Sequence, residues 1–277
     1  MNLEDFRISV IITSYNQKNY LIQTIESVIN QTVSPYEIII ADDHSKDGSV
    51  ELIQKYMSQY PDLVKGVFQT QNVGIPKNRN SACEQVTGNY VAILDGDDLF
   101  SPFKLEKEFQ ALEKNPKARC VYSNIRFIDS EGKLIGIRDR EPRPSGDIFT
   151  YIAHGRGGLL RSMLMDYSLM QEIGFLNENF PKYDGLELTV RLSKRCEFIY
   201  IAEPLADKRE HEASDSRTLK AKDHLHDLER IYQNVLTLSN DLPLSEKVSI
   251  QVAWFRRLTN LRIRNFQEQG LKMLLPL

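Results

Sequence analysis

The sequence predicts an α/β fold: a largely parallel sheet covered by helices on both faces. Three observations carry that expectation. Short β-branched runs recur at 8–13, 37–41, 64–69 and 90–94, each starting a little under thirty residues after the last. Segments with helical periodicity separate them, at 20–31 and 50–60 among others. The strand runs are near-continuously apolar instead of alternating, as strands buried on both faces are.

Each element in this half ends on polar residues. The first strand opens onto Ser14, Tyr15 and Asn16, the second onto Asp42 and Asp43, the third onto Gln71, Asn72 and Gly74, and the fourth onto Asp95, Asp97 and Asp98. Right-handed crossovers bring the carboxyl ends of parallel strands to one rim, which is where open α/β sheets bind ligands. The rhythm changes after residue 101. Residues 103–115 read as a helix stopped by Pro116, and 120–129 with 133–136 as a hairpin turned at 130–132. Residues 138–161, rich in Pro, Gly and Arg, are expected to be irregular, either a functional loop or an unstructured one. Its arginines 138, 140, 143, 156 and 161 either meet an anion or form a solvated basic loop.

From 218 to 269 the pattern is helical, with a break at 242–243, and reads as a separate appendage. Within it, residues 252–271 set Trp254, Phe255, Leu258, Leu261 and Phe266 among Arg256, Arg257, Arg262 and Arg264. Such a basic amphipathic helix lies on anionic lipid, pairs with a partner or another copy, or docks on its own domain. The expected division is therefore 1–216, changing character between 100 and 101, followed by the helical appendage 217–277.

Composition excludes several classes. With 277 residues, 41% hydrophobic and 26% charged, the chain has enough apolar sequence for a full core. Its 35 basic and 38 acidic residues leave a net charge of −3, which gives no reason to expect nucleic acid. Three distant cysteines, Cys83, Cys120 and Cys196, lack both CxxC spacing and a disulfide framework, so a reducing cytoplasm is expected. No leader pattern precedes Arg7 and no apolar run approaches a membrane span, so a soluble or peripheral protein is expected. No GxGxxG follows a predicted strand, which argues against a dinucleotide oxidoreductase.

The stretch YVAILDGDD at 90–98 is the strongest chemical signal, because an apolar strand delivers three carboxylates within four positions. Carboxylates this close repel unless a cation or proton lies between them, and oxygen ligands suit Mg²⁺ or Mn²⁺. A metal-bridged phosphate is the functional reading, and a solvated acidic turn the bland one. A receiver-type signalling domain also ends a strand on paired aspartates, but it places them near its N-terminus, whereas IIIADDHS here follows a whole βα unit.

Six segments in order carry a resemblance: VIITSYNQ at 10–17, ADDHSKDGS at 41–49, NVGIPKNRN at 72–80, LDGDD at 94–98, IGF at 173–175 and AEPLADKREHEAS at 202–214. Together they resemble the family-two glycosyltransferases of GT-A fold, over about residues 8–216, which implies a nucleotide-binding half (1–100) and an acceptor-side half (101–216). The resemblance implies an inverting transfer of a sugar from a nucleotide-diphospho-sugar, UDP-linked, with Mn²⁺ or Mg²⁺, to a glycan, lipid-linked or protein acceptor in cell-surface polysaccharide or glycoconjugate synthesis. It places Thr13 and Tyr15 at the base, Asp43 at the nucleotide with Asp42 as its rival, Gly74 and Arg79 beside the nucleotide, Asp95 at the ribose, and Asp97 and His211 at the metal. An Asx-type cap is the alternative for Asp42 and Asp43, and a surface position for Arg79 and for His211.

One departure stands out. The family draws its general base from a Glu-Asp pair seven and six residues before an arginine. Counting back from Arg191 gives Asp184 and then Gly185, where the base is expected. Asp184 serves as base or as a helix cap, Glu187 swings in from the first helical turn, or the chain is a nucleotide-sugar-binding relative without transfer.

Overall fold

A computed structural model describes residues 6–212 and 220–273, with side chains as far as Glu268. The first half alternates as expected: β1 (Ile8–Ser14), α1 (Lys18–Ile29), β2 (Glu37–Asp42), α2 (Ser49–Gln59), β3 (Val64–Phe68), α3 (Ile75–Cys83) and β4 (Tyr90–Asp95). These four strands pair in parallel in the order β3-β2-β1-β4, with Ile11 flanked by Ile39 and Ile93. After them come β5 (Leu99–Phe100), α4 (Lys104–Lys114), β6 (Ala118–Ile128), β7 (Leu134–Ile137), α5 (Phe149–Ala153), β8 (Met163–Asp166), α6 (Tyr167–Ile173), α7 (Asp184–Ser193) and β9 (Glu197–Arg209).

The sheet continues as β4-β8-β6-β9-β5, so β8 runs antiparallel between two strands of the opposite sense, and β7 closes the expected hairpin on β6. Asp129 shapes that hairpin turn by accepting from Glu131 and Lys133 N–H. The 138–161 segment is less irregular than its composition suggests. Its Ile148, Phe149 and Ile152 are buried and fold it into α5 against α7, because apolar side chains at helical spacing gain more from the core than from solvent.

Alternation along the strands divides the core in two. Val10, Ile12, Ile38, Ile40, Ala92 and Leu94 face α1, α2 and α4, while Ile11, Ile39, Ala41, Val91 and Ile93 face the opposite side. That second layer includes the C-terminal helices. In α8 (Ala221–Leu238) Leu228, Ile231 and Val235, and in α9 (Leu244–Met273) Ile250, Trp254 and Leu258, join the same cluster as the strands. Trp254 is 1% exposed, stacks on Tyr232 and donates its indole N–H to the Ala153 carbonyl at 2.6 Å.

The expected single apolar face of 252–271 is in fact two. Trp254, Leu258 and Leu261 turn inward, whereas Phe255 (68% exposed) and Phe266 (77%) join Leu244, Val248, Val252 and Ile263 in a stripe on the outside. The expected boundary at 216/217 lies outside the described residues. Among them, no helix is long and apolar enough to cross a membrane.

Candidate functional site

The strand ends line one pocket of about 840 Å³, whose lining also includes the 155–161 turn, the start of α7, and residues of α8 and α9. Thr13 at the end of β1 donates to Asp95 at 3.4 Å, and Tyr15, 49% exposed, stands at the mouth. Asp43 accepts from the N–H groups of Val73 (2.7 Å) and Gly74 (2.9 Å), fixing the loop that starts α3. Gly74 has φ +88° and nothing within 4 Å of an added Cβ, so the left-handed backbone requires glycine here, not a shortage of space. Asp42 does not line the pocket. It is fully buried and accepts from Ser45 N–H (2.8 Å) and the Ser45 hydroxyl (2.6 Å), which is the Asx-turn alternative.

The acidic turn after β4 is threaded by arginines. Asp95 is paired to Arg79 and, at 3.1 Å, to Arg161; the other arm of Arg79 reaches Asp184 at 2.5 Å. Burial would raise Asp95, but Arg79 and then Arg161 hold it down at about 2. Burial also works against the Arg79 charge, yet Asp184 and Asp95 keep the guanidinium protonated. Arg161 Nε donates to Asp98 at 2.6 Å, and Arg209 N–H donates to the other oxygen of Asp98 at 2.9 Å. Even so, burial pushes Asp98 up to about 7. Of the five arginines in 138–161, only Arg161 lines the pocket. The fully buried Arg209, which sequence reasoning overlooked, bonds the Asp97 carbonyl and Gln23 and ties the turn to α1.

Asp97 has a different environment. Its carboxylate is raised by burial and then by the charge of Asp95, and it lies 2.9 Å from His211 Nε2. This carboxylate lacks a full counter-charge of its own and sits beside an imidazole on the pocket wall. Among the described residues no group of three or more His, Cys, Asp or Glu side chains is gathered for a metal. An oxygen and a nitrogen side by side nevertheless fit a divalent ion that takes its remaining ligands from substrate phosphates and water.

The two carboxylates expected to supply the base differ. Asp184, the first residue of α7, lines the pocket with one oxygen engaged by Arg79. Glu187 does not reach the pocket: it is 2% exposed and held by both oxygens to Arg191, which in turn donates to the carbonyls of Ile173 and Phe175. The IGF segment is thus the anchor of α7, and Glu187 serves that anchor. Gly185 lines the pocket, where an added Cβ would meet Leu160 at 3.1 Å.

Beyond Asp184 stands a group no motif announced. Tyr183 Oη and His224 Nδ1 are 2.6 Å apart, and Arg257 lies beside the Tyr183 hydroxyl while donating to the Gly155 carbonyl at 2.8 Å. Burial and then Arg264 hold the His224 imidazole below its ordinary range, with Arg257 adding to that and Asp223 and Glu268 opposing it. All three residues line the pocket. Only the adjacency of Tyr183 to Asp184 hints at this in the sequence.

Comparison with known proteins follows the same lines. The family described as "Glycosyl transferase family 2" matches residues 9–169. An uncharacterised glycosyltransferase of Rickettsia bellii is 38% identical over 195 residues, 70% of this chain and 27% of its own. The chondroitin synthase of Escherichia coli is 34% identical over 128 residues, 46% of this chain and 18% of its own. The matched segment thus spans well under two thirds of the length of these relatives. Among solved structures, S. aureus TarS 1–349 in complex with UDP-GlcNAc superposes with a TM-score of 0.72 at 18% identity, over 98% of this chain and 77% of that one. GalNAc-T7 with UDP, GalNAc and Mn²⁺ gives 0.62 at 16% identity, over 81% of this chain and 48% of that one. These likenesses establish the GT-A fold.

Proposed function

The chain belongs to glycosyl transferase family 2, and from that premise we propose that it is an inverting, metal-dependent transferase moving a sugar from a UDP-linked donor to a glycan, lipid-linked or protein acceptor at the cytoplasmic side of cell-surface glycoconjugate synthesis. One observation carries the reading. Groups from β1, β2, α3, β4 and the end of β9 converge on a single pocket, and among the described residues of its acidic turn Asp97, beside His211, is the carboxylate with no arginine bonded to its side chain.

Thr13 and Tyr15 flank the uracil and Asp43 holds the loop against which it lies. Asp95, kept ionised by Arg79 and Arg161, accepts from the ribose hydroxyls. Asp97 and His211 would hold Mn²⁺ or Mg²⁺, which supplies charge neutralisation at the diphosphate when bound. Arg161 and Arg209 lie beside that end of the pocket, so a departing nucleoside diphosphate leaves into a positive field. Asp184 belongs to the same framework, as the partner that aims Arg79 at Asp95.

We divide the chain as 1–216 for this catalytic unit and 217–277 for the helices that add to its pocket lining. The outer stripe of α9 supports contact of 252–271 with a lipid surface or a second copy. The competing reading, donor binding without transfer, rests on Gly185 alone. A thermal-shift screen of nucleotide-sugars with and without Mn²⁺ tests the assignment. A UDP-sugar that raises the midpoint only with the metal supports it, and no response to any UDP compound overturns it.

A further inference from the structure

We propose that His224, oriented by Tyr183 and supplied by helix α8, receives the proton of the acceptor hydroxyl in the pocket, in the role that Gly185 cannot fill. The inference rests on the transferase reading above and adds the residue that completes it.

Elimination among the carboxylates leads there. Within the pocket, Asp43 is bonded to two backbone N–H groups, Asp95 to two arginines, Asp98 to Arg161 and the Arg209 N–H, and Asp97 to His211. Asp184 is bound to a guanidinium whose charge it helps sustain, and Glu187 lies outside. His224 stands differently. It lines the pocket beside Tyr183, whose hydroxyl is also contacted by Arg257. Only Nδ1 has a hydrogen-bond partner among the described residues.

The chemistry follows from tautomer and charge. In the tautomer with hydrogen on Nδ1, which donates to Tyr183 Oη, Nε2 carries the lone pair and has no hydrogen-bond partner among the described residues. Burial first, then the charges of Arg264 and Arg257 against Asp223 and Glu268, favour the neutral ring, the form that can accept a proton. In the transfer step the acceptor oxygen bonds to the anomeric carbon as the bond from that carbon to the diphosphate oxygen breaks. The nucleoside diphosphate departs with the electron pair, the acceptor proton passes to Nε2, and the imidazolium later returns it to water. Arg257 has a positioning part: it holds the Gly155 carbonyl and stands beside the Tyr183 hydroxyl, so the loop and the Tyr183–His224 pair keep one geometry.

The test joins a binding readout to a kinetic one in the full chain. First, UDP is titrated with Mn²⁺ into wild type and His224→Gln. Loss of UDP binding in the wild type would refute the transferase reading itself, whereas equal binding in both leaves the site intact for the next step. Second, diethylpyrocarbonate labelling of the histidines is followed by mass spectrometry with Mn²⁺ and UDP, with and without a panel of methyl hexosides as acceptor probes. Protection of His224 by at least one hexoside, with His44 and His226 unchanged, supports the proposal; equal labelling throughout the panel overturns it. Third, turnover of UDP-sugar with the protecting hexoside, or with water, is compared. His224→Gln should lose about 10²–10⁴-fold in kcat with donor KM within about twofold. Arg264→Gln should move the acid limb of kcat to higher pH, because a repelling charge on the imidazolium is gone. Unchanged kcat in His224→Gln, or an acid limb that stays in place in Arg264→Gln, overturns the assignment; the acid limb is the readout that a merely structural histidine would not move.

Discussion

Arg79 joins two carboxylates across the pocket, so its removal is the most informative single perturbation of the framework. In Arg79→Met the side chain volume is roughly kept, but Asp184, almost fully buried, loses its counter-charge, and Asp95 loses the stronger of its two. Breaking a buried pair from one side costs about 3–5 kcal/mol, since the remaining carboxylate is left uncompensated. For a chain of this length that corresponds to a fall in melting temperature of about 5–9 °C. The double variant Arg79→Met/Asp184→Leu should recover about 1–3 kcal/mol of the summed losses, because neither charge is then stranded. Urea unfolding read by far-UV circular dichroism and by the fluorescence of Trp254, the sole tryptophan, gives both numbers. A single variant melting within about 1 °C of wild type, or strictly additive losses, would refute the view of Arg79 as the clamp between the two ends of the site.

Three further outcomes follow from the packing. Trp254→Ala should destabilise by about 3–5 kcal/mol in urea unfolding read by far-UV circular dichroism alone, since it empties a buried site where α8, α9 and α5 meet; a loss below about 1 kcal/mol would mean the C-terminal helices dock only loosely. Glu108, fully buried against Lys104, is pushed up to about 7 by burial, so its titration contributes stability that is complete below about 4.5 and is lost as pH rises through about 7. The wild-type advantage over Glu108→Gln should therefore shrink between pH 5 and 7.5, and an advantage that grows over that range contradicts the assignment. Replacing Phe255 and Phe266 by Ser should abolish either vesicle flotation or self-association of the full chain while leaving its melting temperature within about 2 °C; a protein that neither floats nor associates before the change has no such surface.

The first four strands and α1, α2 and α4 were legible because their apolar period is long and regular, and the polar residues at their ends mark the rim directly. Strand β8 was not. Its four residues, MLMD, have no period of their own, and only pairing with β4 and β6 on either side makes them a strand. Asp42 and Asp43 could not be separated by sequence, since successive side chains at a strand end point to opposite sides and nothing in ADD tells which side holds the pocket. Glu187 looked available from its helical position, but the partner that withdraws it, Arg191, is fixed by carbonyls from the preceding IGF segment, a contact visible only in three dimensions. His224 and Arg257 reach the pocket because α8 and α9 fold back over it, and helical periodicity carries no information about where a helix docks.

Calorimetric titration of UDP is the sharpest probe of the proposal that Asp97 and His211 hold a cation that binds the donor diphosphate. UDP should bind wild type with Mn²⁺, excess chelator should weaken binding by about tenfold or more, and Asp97→Asn, still folded by circular dichroism, should lose the metal-dependent part. Equal UDP affinity with chelator and with Mn²⁺, or an Asp97→Asn protein that binds as the wild type does, would contradict it.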